Sequence, residues 1–102
     1  MSNTSLKEKI ETVTTMPGGW SDYTCDISLE AKGAFKIALE SLRGVDYTPV
    51  AFAQQVVAGM NYSFFCNSKV VYPGAPNEAA IINIYQPLKG RAVITGIQSI
   101  NH

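Results

Sequence analysis

The spacing of apolar residues changes once along this chain, at Gly44, and that change limits the fold more than any other feature. Before it, Ile27, Ala31, Ala34, Phe35, Ala38 and Leu42 recur at the 3.6-residue spacing of one helical stripe. After it the period is two. Val50, Phe52, Gln54 and Val56 alternate with Ala51, Ala53, Gln55 and Val57, and Tyr62, Phe64, Cys66, Val70 and Tyr72 share one parity. Ala80, Ile82 and Ile84 alternate with Ile81, Asn83 and Tyr85, and residues 92–100 form a last extended segment. Pro73, Gly74, Ala75, Pro76 and Asn77 make one loop; Gln86, Pro87, Leu88, Lys89 and Gly90 make another. A lone amphipathic helix followed by consecutive hairpins can bury its stripe only across the apolar face of an antiparallel sheet. The expected class is α+β.

Finer signals set the boundaries. Asp26 or Ser28 can cap the helix start, and Arg43 followed by Gly44 forms a stop. Gly33, inside the helix, costs about 1 kcal/mol relative to alanine and calls for close packing there. Pro49 donates no ladder bond, so its strand is expected to kink or bulge. Residues 20–24 fit a short additional strand, giving a sheet of four to five strands. Met16, Pro17, Gly18 and Gly19 release the backbone from whatever precedes them. Residues 1–15 are a polar lead-in with a thin stripe of Leu6, Ile10 and Val13, fitting either a short docked helix or a frayed tail. The expected division is an N-terminal extension, 1–15, partly ordered, and one domain, 16–102.

Composition narrows the function classes. Eight acidic and eight basic side chains give a net charge of zero, which points away from nucleic acid and anionic membrane surfaces. No run approaches the ~18 apolar residues of a membrane span, and the first residues hold no apolar stretch of signal-peptide length. A soluble, cytoplasmic protein is expected, with Cys25 and Cys66 as free, buried thiols. Catalytic constellations are missing. His102, the last residue, is the chain's one histidine and is poorly placed as a general base. Two Cys and one His match no metal motif. Asp22 and Asp26 read as turn and cap residues, and Gly18 and Gly19 lack the lysine of a phosphate loop. No enzyme activity, metal or cofactor is expected.

The stretch QQVVAG, residues 54–59, fits either the end of a buried strand or an apolar loop built to enter a partner. Gln55-Val56-Val57-Ala58-Gly59 matches the Gln-x-Val-x-Gly loop of the cystatins, inhibitors of papain-like cysteine proteases. Met60, Asn61 and Tyr62 continue the match. Met16-Pro17-Gly18-Gly19 resembles the N-terminal trunk of the stefins, the intracellular cystatins without disulfides, and Ile94-Thr95-Gly96-Ile97-Gln98 resembles their last strand. The resemblance spans residues 16 to 100. It implies a cystatin-like fold, with the sheet wrapped around the helix, and reversible competitive inhibition of a papain-like cysteine protease.

The inhibitory surface it implies is an apolar wedge of three parts: Met16, Pro17, Gly18 and Gly19; Gln55, Val56, Val57, Ala58 and Gly59; and Pro87, Leu88, Lys89 and Gly90. It also implies a monomer or a dimer formed by swapping the helix and first strands. The chain departs from the family in its long lead-in, in a short second loop without the Pro-Trp pair of secreted cystatins, and in Pro49. These departures motivate the alternative expectation, a cystatin-fold binding or scaffold module without inhibitory activity.

Overall fold

A computed structural model of the protein describes residues 19–100. The lead-in with its Leu6, Ile10 and Val13 stripe, the boundary after residue 15, Met16, Pro17, Gly18 and His102 lie outside the described residues. Within them, one helix, α1 (Leu29–Ala38), precedes four strands: β1 (Val45–Val57), β2 (Gly59–Val70), β3 (Asn77–Gln86) and β4 (Val93–Ile100). The strands form one sheet in the order β1-β2-β3-β4, and every neighbouring pair is antiparallel. This is the α+β arrangement that the change of period predicts.

The helix is shorter than its stripe. Ser28 is the N-cap, its hydroxyl accepting from the Ala31 N–H at 3.1 Å, which sets the start after Ile27. After Ala38 the chain tightens, with the Leu42 N–H bonding the Leu39 carbonyl at 3.0 Å. The Arg43 guanidinium donates to the Glu40 and Leu42 carbonyls, and Gly44 takes a φ of 91°. Leu42 therefore lies beyond the helix. Ala31, Ala34 and Phe35 are the buried face.

That face packs on Phe52, Tyr62, Phe64, Cys66, Ile82 and Ile84. Phe64, fully buried, is the hub: Phe35 meets it edge-on at 4.8 Å between ring centroids, with Tyr62 at 5.9 Å and Phe52 at 6.2 Å. Burial raises the Cys66 thiol pKa to about 12, so it stays protonated and unreactive through neutral pH. Cys25, expected to be buried, is exposed; it sits in the connection that leads from the sheet edge to the cap. Val70 and Tyr72 share the core parity yet are exposed. The reason is length: ten helical residues cover about 15 Å, whereas the twelve of β2 run about 40 Å.

Two irregularities bend the sheet. Pro49 pairs with Cys66 and Ala51 with Phe65, leaving Val50 as an extra residue, the bulge expected at the proline. On β4, Ile94 pairs with Ile84 and Gly96 with Asn83, leaving Thr95 extra. Residues 20–24 run antiparallel beside β1 but touch it as two isolated bridges, Trp20 with Gln55 and Thr24 with Phe52. The ladder is interrupted because the Gln54 N–H bonds the Ser21 hydroxyl, at 2.9 Å, in place of a backbone carbonyl.

Candidate functional site

The candidate site is the end of the sheet where β1 turns into β2. Val57 pairs directly with Gly59, so Ala58 alone forms the tip. A turn this tight needs a backbone most residues avoid, and Gly59 has a φ of 104°. Gly59 is required for a second reason. The register of β2 on β3 sets Met60 opposite Gln86, which carries Gly59 against the start of the loop between β3 and β4. A Cβ at Gly59 would stand 2.3 Å from the Gln86 carbonyl oxygen and 3.1 Å from the Pro87 Cα. The two loops are thus in backbone contact.

Side chains brace the contact. The Tyr85 hydroxyl donates to the Ala58 carbonyl, fastening the tip of the first loop to β3. The Gln86 side-chain amide donates to the Pro87 carbonyl at 3.1 Å and to the Gly90 carbonyl at 3.0 Å, closing the second loop. Asn61 donates to the Gln55 side chain at 2.8 Å across the base of the first hairpin. On the other flank the Ser21 N–H bonds the Gln54 carbonyl at 2.8 Å, and the Tyr23 and Ser63 hydroxyls share a bond of 2.5 Å. With Trp20 opposite Gln55, the antiparallel course brings Gly19 toward Val56.

Three stretches therefore lie side by side along one edge: the segment at Gly19 and Trp20, the first loop, and the second loop. Val56, Val57 and Leu88 are 51%, 38% and 81% exposed. Ala58, Lys89 and Gly90 are also exposed, Gln55 and Pro87 are half-buried, and Gly59 is buried beneath the second loop. Gly59 shapes the edge without presenting a surface. Of the three-part wedge, Gly19 and all nine loop residues are brought together here; Met16, Pro17 and Gly18 lie outside the described residues.

Trp20, Tyr85 and Gln86 belong to this edge and were not among the expected site residues. Tyr85 and Gln86 act through a cross-strand register, which no local motif announces. In QQVVAG, Val56 and Val57 are the last rungs of a ladder, and they are solvent-exposed, so the strand end is not a buried one.

Behind the edge an open groove of about 660 Å³ separates α1 from the loops, lined by Gly33, Ala34, Ile37, Val56, Met60 and Leu88 among others. Gly33 faces open space: a Cβ there would meet nothing within 4 Å, so the close packing expected at this glycine is not found. Burial, with a lesser contribution from the Glu30 carboxylate, raises the pKa of Tyr62 in the groove floor and keeps it neutral. Among the described residues no His, Cys, Asp and Glu cluster is arranged to hold a metal ion, and no helix is long and apolar enough to cross a membrane.

No family model matches the chain, and neither does any curated protein. Among solved structures the chain is similar to the salivary cystatin of the soft tick Ornithodoros moubata. The two are 20% identical, the match covers 84% of this chain and 100% of that one, and the TM-score is 0.57. The likeness carries the fold: a cystatin-like α+β domain, one helix on a four-stranded antiparallel sheet.

Proposed function

We propose that this protein is a reversible, competitive inhibitor of papain-like cysteine proteases, acting through the exposed edge as a preformed apolar wedge. The observation that carries the reading is the backbone contact between Gly59 and the Gln86–Pro87 peptide. It aligns the Gln-x-Val-x-Gly loop with the second loop, and the bridge between Trp20 and Gln55 brings Gly19 toward the first loop. A wedge already braced loses little conformational entropy on entering a cleft. Val56, Val57 and Leu88 each stand to contribute about 1–2 kcal/mol when their open surface is buried. The reading asks for no chemistry from the wedge, which acts by occupying a cleft.

The finer reading is a stefin-like inhibitor working in the cytoplasm. The exposed free thiol of Cys25 supports it, since such a group persists best in a reducing compartment. The active form retains the first hairpin. Swapping the helix and β1 between two copies would straighten residues 56–60 into one continuous strand and abolish the loop.

Titration of papain with the full chain tests the proposal. Activity should fall in proportion to added protein, with KM for a peptide substrate rising and kcat unchanged. Val57→Asp, which would force a carboxylate into the cleft, should weaken inhibition by about 100-fold or more. Papain activity untouched at micromolar protein would overturn the reading.

A further inference from the structure

The two outer edges of the sheet are finished differently. The β1 edge is covered or interrupted over most of its length. Residues 20–24 cover it from Phe52 to Gln55. Below them come the Val50 bulge, Pro49, which has no N–H to offer, and the charge of Asp46. Among the described residues nothing pairs with the outer edge of β4. No Asp, Glu, Lys, Arg or Pro occurs from residue 92 to residue 102, so β4 carries none of the side chains that usually discourage strand pairing. Its protection is the bulge at Thr95, and that leaves Gly96, Ile97, Gln98, Ser99 and Ile100 as one regular run. Gln98 and Ser99 are exposed, and Ile97 is 43% exposed.

We propose that this run pairs antiparallel with the same run of a second copy, about a two-fold axis at Gln98. Gly96 then stands opposite Ile100 of the second copy, Ile97 opposite its Ser99, and the two Gln98 amides face each other. An uncharged strand opposes no like charges when it pairs with itself, and an antiparallel pair satisfies two-fold symmetry. The closed β1 edge cannot accept β4, so head-to-tail growth stops and the assembly ends at two copies. The two-fold axis reverses strand direction, so the braced loop ends point away from each other and both stay open. A five-residue ladder buries little surface, so the dimer is weak, with a Kd of about 10–100 µM.

Sedimentation equilibrium of the full chain from about 1 to about 500 µM is the first measurement. The mass should climb toward that of two chains. Ser99→Lys, an exposed substitution that sets a charge against Ile97 of the second copy, should hold it at one chain with an unchanged circular dichroism spectrum. The second measurement is oxidative cross-linking of Gln98→Cys in a Cys25→Ser background. Cα atoms opposite each other in antiparallel strands are about 4.5–5.5 Å apart, within disulfide reach. Gln98→Cys should cross-link at least about tenfold faster than Thr48→Cys on the closed edge in the same background. A single-chain mass up to the highest concentration, a dimer indifferent to Ser99→Lys, or equal cross-linking at the two edges would each overturn the proposal. None of these readouts uses a protease.

Discussion

Val56, Val57 and Leu88 are open to solvent at one end of the sheet, and at the other end Val71 and Tyr72 are equally open, at 61% and 57%. Apolar exposure does not distinguish the two ends; the way each loop is held does. The loop from β2 to β3 is secured by short backbone bonds, Val71 to Gly44 at 2.9 Å and Ala75 to Tyr72 at 3.2 Å. Its glycine, Gly74, has a φ of 82° but open space around a would-be Cβ. At the β1–β2 end, Gly59 has both the φ and a neighbouring backbone pressed against it, with Tyr85 bonding across the junction and Gln86 closing the second loop. One end has been built to a shape, and the other simply turns the chain. An apolar tip becomes a binding edge when its conformation is fixed before the partner arrives.

The strongest attack on this contrast is to exchange its glycines. Gly59→Val would add about 1–2 kcal/mol of backbone strain and push the Gln86 carbonyl aside. The two loops must separate, and papain inhibition should fall by more than about 100-fold, about 2.8 kcal/mol, with a clear drop in Tm. Gly74→Ala carries the φ strain without the clash. It should cost about 1 kcal/mol of stability and leave inhibition unchanged. Equal effects of the two substitutions on inhibition would erase the distinction between the ends.

A finer cut removes one brace. Tyr85→Phe keeps the ring and loses the hydroxyl that holds the Ala58 carbonyl. That carbonyl is at an exposed tip and can turn to water, so the loss is about 1 kcal/mol, or about fivefold in inhibition. The measurement is the inhibition constant beside the unfolding midpoint. A change confined to the midpoint would mean that the tyrosine supports the sheet and not the wedge.

What the sequence disclosed follows from the range of the forces involved. The Pro49 bulge was legible because a missing N–H is a property of one residue. The helix and the parity of β2 and β3 were legible because burial repeats every 3.6 or every two residues. The bulge at Thr95 carries no such mark, and the exposure of Val70 and Tyr72 depends on how far a ten-residue helix reaches. The candidate edge was legible as a motif, Gln55 to Gly59, and as a turn, Pro87 to Gly90. Their contact was not, because it depends on a β2–β3 register joining residues 27 positions apart, as between Tyr85 and Ala58. Residues 20–24 read as a strand, but they meet β1 only as two isolated bridges, because the Ser21 hydroxyl takes the place of a backbone carbonyl.

The smallest expected effect tests how far the built end extends. Gly33 lies in the helix interior, where glycine is about 1 kcal/mol worse than alanine, and neither its φ nor a neighbour requires it. Gly33→Ala should therefore stabilise the protein by about 0.5–1 kcal/mol, raising Tm by a few degrees. The added methyl projects into the open groove behind the loops and meets no atom within 4 Å, the crest residues Val56, Val57 and Leu88 included. If the crest alone meets the protease, inhibition stays within about twofold, less than 0.5 kcal/mol. A protein that becomes more stable and yet inhibits less would show the protease reaching past the crest into the groove. The preformed surface would then include the helix, and Gly33 would be a stability cost retained for close approach.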